Sequence, residues 1–69
     1  MKSRLKVLRA ERDLTQEQLA TLIGVSRYAI NALETERHDP SLDLAYRISS
    51  ALSLPVEQVF PNPYAPTST

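Results

Sequence analysis

The chain contains a single glycine, Gly24, and it stands between two short stretches of helical periodicity. Before it, Leu19, Leu22 and Ile23 recur at helical spacing; after it, Ile30 and Leu33 do the same. A glycine just past an apolar stripe ends a helix in the left-handed conformation. Ser26 follows two residues later and can cap a new helix. The connection is therefore only Gly24-Val25. That is too tight for a long antiparallel hairpin and fits two short helices crossing at a large angle, a helix-turn-helix. Such a crossing needs a small residue where the helices touch. Ala20, four residues before the glycine, supplies it, and Val25 plugs the joint from beneath.

The rest of the chain obeys the same period. Leu5 and Leu8, flanked by Val7, open it; Leu44 or Ala45, Ile48, Ala51 and Leu52 follow; Val56, Val59 and Phe60 close it. No stretch sustains the period-two alternation of a strand, and there are no internal repeats. Asp13-Leu14 breaks the first helix from the second. Thr15 reads as an N-cap, with Gln18 three residues on completing a capping box and Glu17 complementing the helix dipole. His38-Asp39-Pro40 is a loop, Ser41 or Asp39 caps the fourth helix, and Pro55 suits the first position of a fifth. The expected architecture is all-α, with five helices over about 3–12, 15–23, 26–35, 41–52 and 55–60. From Pro61 the sequence PNPYAPTST has three prolines in nine residues and no periodicity. Residues 1–60 are thus expected to form one domain and 61–69 an extended or disordered tail.

At 69 residues such a domain buries only roughly 60% of its unfolded surface and is marginal without help. The chain has no cysteine, which excludes disulfides and thiolate metal sites, and a single histidine, His38, which excludes a histidine-rich one. Oligomerisation is the remaining help. Eight basic residues balance eight acidic ones, a sum that by itself argues against a nucleic-acid partner. The charge is unevenly placed, however. Lys2, Arg4, Lys6, Arg9 and Arg12 face only Glu11 in the first twelve residues, whereas Arg47 is outnumbered by Asp39, Asp43 and Glu57 after residue 37. No apolar run approaches the ~20 residues of a membrane span, and the charged beginning MKSRLKVLRA is not a signal peptide, so a cytoplasmic location is expected.

A helical wheel of the third helix separates its faces. At ~100° per residue, Ser26, Ala29, Ile30 and Leu33 cluster on one side, with Arg27, Tyr28, Asn31, Ala32 and Thr35 opposite. The open face bears hydrogen-bonding groups and one charge, which is positive. A face needed only for solubility more often carries Glu and Lys; a helix presenting Arg and Asn suits the major groove of B-DNA.

At this point TQEQLATLIGVSRYAINALE (15–34) resembles the helix-turn-helix of the Cro and lambda-repressor-type family, also called the xenobiotic-response-element type. The likeness extends through LKVLRAERDLTQEQLA, DPSLDLAYRISSAL and LPVEQVF, covering residues 3–60, with Gln16, Ala20, Gly24, Ile30 and Leu33 at family spacing. The resemblance implies a five-helix lambda-repressor-like domain, a DNA-binding transcriptional regulator, and a homodimer on double-stranded DNA. It implies base reading by Arg27, Tyr28, Asn31 and Ala32, the last by accommodating a base rather than donating to it. It implies phosphate contacts from Gln16, Ser26, Thr35 and Arg37, an ion pair between Arg9 and Glu34 tying the first helix to the third, and a dimer seam involving Val56, Val59 and Phe60. Three positions depart from the family pattern: Glu36 and Ser53 stand where glycine is usual, and Tyr28 replaces a glutamine that could pair adenine.

Each assignment has a plainer alternative. Arg27, Tyr28 and Asn31 could be ordinary surface residues; the basic first helix could be a solvated face; Val56, Val59 and Phe60 could serve only the chain's own core. No nucleophile with an adjacent base, glycine-rich phosphate loop or metal cluster is evident. No enzyme activity, cofactor, metal, membrane contact or small-molecule ligand is therefore expected. A transcriptional repressor is the expected function, with an antitoxin or a protein-interaction module without DNA binding as the alternatives.

Overall fold

Side chains that bond to their own backbone set where the helices of this small domain start. In a computed structural model that describes residues 1–64, five helices follow one another: α1 (Leu5–Glu11), α2 (Gln16–Ile23), α3 (Arg27–Glu34), α4 (Leu42–Leu52) and α5 (Val56–Val59). Thr15 Oγ1 accepts from the Gln18 amide and Gln18 Oε1 from the Thr15 amide, a complete capping box. Ser26 caps α3 through Ala29, and Ser41, rather than Asp39, caps α4 through Leu44. The expected helices are present, each slightly shorter. Helix α1 starts at Leu5 because the Arg4 amide is diverted to the Val59 carbonyl, 2.9 Å away, and Ser3 Oγ takes the Leu5 amide. That same bond ties the start of the chain to α5. Pro55 is extended and caps α5 from outside rather than occupying its first turn. Phe60 leaves the helix with φ −124° and ψ 93°, as expected of a residue followed by proline.

Four helices end in one way. Asp13, Gly24, Glu36 and Ser53 follow α1 to α4 and have φ of 54°, 76°, 61° and 57°. The next residue's amide then bonds back across the last turn: Leu14 to Arg9, Val25 to Ala20, Arg37 to Ala32 and Leu54 to Ser49, each at 3.0 or 3.1 Å. This is the Schellman closure, which satisfies carbonyls that a helix end leaves open. Only one of the four has glycine; a non-glycine residue there is strained by about 1–2 kcal/mol.

The core gathers one stripe from every helix: Leu5 and Leu8, Leu19, Ala20 and Ile23, Ile30 and Leu33, Ala45, Ile48 and Leu52, and Val59 with Phe60. Leu14, Val25 and Leu54 pack against its edges. Ala20 is buried at the α2–α3 joint, which lets the two helices meet closely. Ser49, a buried polar residue, donates to the Ala45 carbonyl. Val59 and Phe60, expected at a dimer seam, are 0% and 5% exposed and belong to this core. A domain with so little interior uses its last apolar side chains on itself, which leaves only Val56 of the three partly open. Residues 61–64 form no helix, and 65–69 of the expected tail lie outside the described residues.

Candidate nucleic-acid interface

The outward face of α3 is held in place by a charged group behind it. Glu34, in the last turn of α3, has a side chain only 2% exposed. Its Oε2 accepts from Arg9 Nε at 2.7 Å, and its Oε1 accepts from Arg9 Nη2 at 3.2 Å and Gln16 Nε2 at 3.0 Å. Arg9 Nη1 also donates to the Leu14 carbonyl at 2.6 Å. One carboxylate therefore fastens α1, the start of α2 and the end of α3 together. Hydrogen bonding to Glu34 holds the Arg9 pKa above its ordinary value, against the opposing effect of burial. Its stabilising effect is thus fully present below the ordinary arginine range and is lost only as pH rises beyond it.

In front of this clamp, Gln16, Arg27, Tyr28, Asn31 and Arg37 line an open depression of about 400 Å³. Arg27 is exposed, and Tyr28 is 78% exposed, which leaves its phenol free to meet a partner. Neither Arg27 nor Arg37 forms an ion pair among the described residues. Arg37 instead donates through Nε to Thr35 Oγ1 at 3.0 Å and through Nη2 to Asn31 Oδ1 at 2.8 Å. The depression thus carries two uncompensated cations on a domain whose total charge is zero.

Two expected contacts are placed differently. Ala32 is 7% exposed and is not on the open face. It lies about 60° from Ala29 around the helix, at the margin of the buried arc, and a methyl is too short to rise out of it. Thr35 is exposed but its hydroxyl is engaged, donating to the Asn31 carbonyl at 2.8 Å and accepting from Arg37. It holds Arg37 rather than standing free for a phosphate. Ser26 is exposed while capping α3, and Gln16 is half-buried with its amide on Glu34.

Sequence reasoning did not find the Arg37–Asn31 bond, the Gln16–Glu34 bond or the role of Arg12. Arg12 donates to the Leu8 carbonyl and, at 3.2 Å, to that of Leu52, joining the ends of α1 and α4. The available signal was Arg37 itself: after a left-handed helix end, an apolar residue is the usual occupant.

Residues 5–59, almost the whole described chain, match the family described as helix-turn-helix. The chain belongs to that family. This helix-turn-helix protein is 47% identical over 60 residues to an uncharacterized HTH-type transcriptional regulator of Methanocaldococcus jannaschii, a match covering 87% of this chain and 91% of that one. It is 38% identical over 56 residues to the immunity repressor protein of Bacillus phage phi105, covering 81% of this chain and 39% of the relative. Among solved structures it resembles the restriction-modification controller protein C.AhdI from Aeromonas hydrophila, with a TM-score of 0.77, 32% identity, and coverage of 83% of this chain and 86% of that one. The helix-turn-helix protein is thus a transcriptional regulator of this type, built on an all-helical DNA-binding domain. Among its described residues, no helix is long and apolar enough to cross a membrane.

Proposed function

We propose that the protein is a repressor that binds a near-palindromic duplex site as a homodimer, laying α3 of each copy in the major groove. The observation that carries this reading is the depression formed by Gln16, Arg27, Tyr28, Asn31 and Arg37, whose two cations form no ion pair among the described residues. Arg27 and Asn31 read bases, the Arg27 fork being suited to guanine O6 and N7. Tyr28 meets a thymine methyl or a phosphate. Gln16 and Ser26 hold the phosphate backbone, which fixes register without reading sequence, and Arg37 reaches a phosphate through the Nη1 that its bonds to Thr35 and Asn31 leave over. Glu34 has both oxygens committed to Arg9 and Gln16, so its role is to position α3 rather than to perform chemistry; the protein is not an enzyme.

With Val59 and Phe60 in the core, the second copy docks on the open apolar rim beside them. That rim includes Leu42, Val56 and Tyr64, which border a hollow of about 250 Å³. Two-fold pairing there sets the α3 helices about 34 Å apart, one turn of DNA. The test is fluorescence anisotropy on the duplex upstream of the protein's own coding sequence, across a salt series. Each neutralised phosphate contributes about −0.9 to the slope of log K against log salt, so three or four contacts per subunit give roughly −5 to −7. A slope near zero, or no binding, removes the reading.

A further inference from the structure

Arg37 is fixed at two points, one on α3 and one on the residue that caps its end. Its Nε donates to Thr35 Oγ1 and its Nη2 to Asn31 Oδ1, while the Thr35 hydroxyl donates to the Asn31 carbonyl oxygen. The guanidinium is thereby laid along the outer face of the helix rather than left free in solvent. Its position in the sequence is unusual within this fold. The three other left-handed helix ends are followed by Leu14, Val25 and Leu54, which pack on the core. Only the end of α3 is followed by a charged residue, and that residue turns to Asn31.

The consequence is chemical. An asparagine amide has an acceptor end and a donor end, and it reads adenine by using both at once. The acceptor end of Asn31 faces a cation at 2.8 Å. Its second lone pair is still available, but a base donor approaching it, such as the adenine N6 or cytosine N4 amino group, meets the guanidinium N–H groups. A charge-assisted bond to the oxygen also polarises the amide, which makes its N–H groups stronger donors.

We propose that Arg37 is a specificity-determining positioning residue: it converts Asn31 into a hydrogen-bond donor and so directs that position of the operator to guanine rather than adenine. The proposal rests on the reading of α3 as the helix in the major groove.

The experiment is selection of duplexes from a randomised pool by the full chain and by its Asn31→Ala, Arg37→Ala and Arg37→Lys variants at one salt concentration. In the wild type, the base pair whose preference Asn31→Ala abolishes should be guanine on the contacted strand. Arg37→Ala and Arg37→Lys should both shift that position toward adenine by about five- to tenfold and leave the position set by Arg27 unchanged. Lysine keeps the charge but cannot bond Thr35 and Asn31 as a fork, so Arg37→Lys should retain more affinity than Arg37→Ala while losing the same discrimination. The proposal is overturned if both variants weaken every duplex alike with the Asn31 position unaltered, if the wild type already selects adenine there, or if Asn31→Ala flattens no position. The reading of α3 itself fails differently: the wild type then selects no sequence, or Arg27→Ala changes no preference.

Discussion

The ends of α2 and α3 have the same backbone and opposite side chains. At the first, Gly24 is left-handed, and the Val25 amide bonds to the Ala20 carbonyl at 3.0 Å. At the second, Glu36 is left-handed, and the Arg37 amide bonds to the Ala32 carbonyl at 3.0 Å. The residue after the first closure is apolar and packs on the core; the residue after the second lies over the depression with Arg27 and Asn31. Backbone hydrogen bonding therefore fixes the shape of a helix end, and the following side chain decides whether that end seals the interior or faces the open depression. The closures after α1 and α4 side with Val25, through Leu14 and Leu54.

The largest effect should come from the clamp that orients α3 toward its open face. Glu34→Ala leaves the Arg9 guanidinium without its carboxylate in a partly desolvated site, and removing one member of a buried pair costs about 3–5 kcal/mol. Thermal melts should show a variant that is barely folded at ambient temperature; coincident melts for variant and wild type would reduce the clamp to a surface contact.

The two closures should next respond in opposite ways to exchange. Val25→Arg places a charge against the core and should destabilise the domain by about 2 kcal/mol. Arg37→Val, at an exposed site, should leave stability within about 0.5 kcal/mol of wild type while weakening DNA binding severalfold. Chemical denaturation beside anisotropy separates these outcomes. Equal stability losses in the two variants would dissolve the distinction between an end that seals the core and one that faces the depression.

Arg27→Ala should cost about 1–3 kcal/mol on the preferred duplex and relax one base pair per half-site, with an unchanged melt. The smallest effects belong to the left-handed positions. Ser53→Gly should relieve strain of about 1 kcal/mol and raise the melting temperature by about 4–8 °C. Glu36→Gly should gain less, because the Glu36 carboxylate also accepts from the Ser3 amide at 3.0 Å. Gly24→Ala should lose about 1–2 kcal/mol although a methyl there meets nothing within 4 Å, since the cost lies in the backbone angle.

The features legible in the sequence were those decided within a few residues. Thr15 with Gln18, Ser26 and Ser41 mark helix starts because a short polar side chain reaches its own backbone; Gly24 marks an end because only glycine takes positive φ without strain. Asp13-Leu14 was legible as a break but not as a left-handed turn, since aspartate can take positive φ without requiring it. The burial of Val59 and Phe60 was likewise hidden. An apolar side chain at a chain's far end reads the same whether it covers its own core or a second copy, and here the bond from Arg4 to Val59 brings that end inside. Ala32 was misplaced because a wheel gives direction and not depth. The Arg37–Asn31 bond spans six residues and forms only once Glu36 has turned the chain back, so its one mark in the sequence is an arginine where an apolar residue usually follows a left-handed helix end.

The central claim is that the face of α3, with the start of α2, is the surface that meets DNA. The most direct measurement is a titration of isotope-labelled protein with its selected duplex, followed through backbone and side-chain amide resonances. The account predicts that the largest changes fall on Gln16, Ser26, Arg27, Tyr28, Asn31 and Arg37, with the Asn31 side-chain amide and the Arg37 guanidinium shifting together. Changes concentrated on Leu22, Tyr46 and Ser50, which line a separate open hollow between α2 and α4, with the α3 face silent, would contradict it.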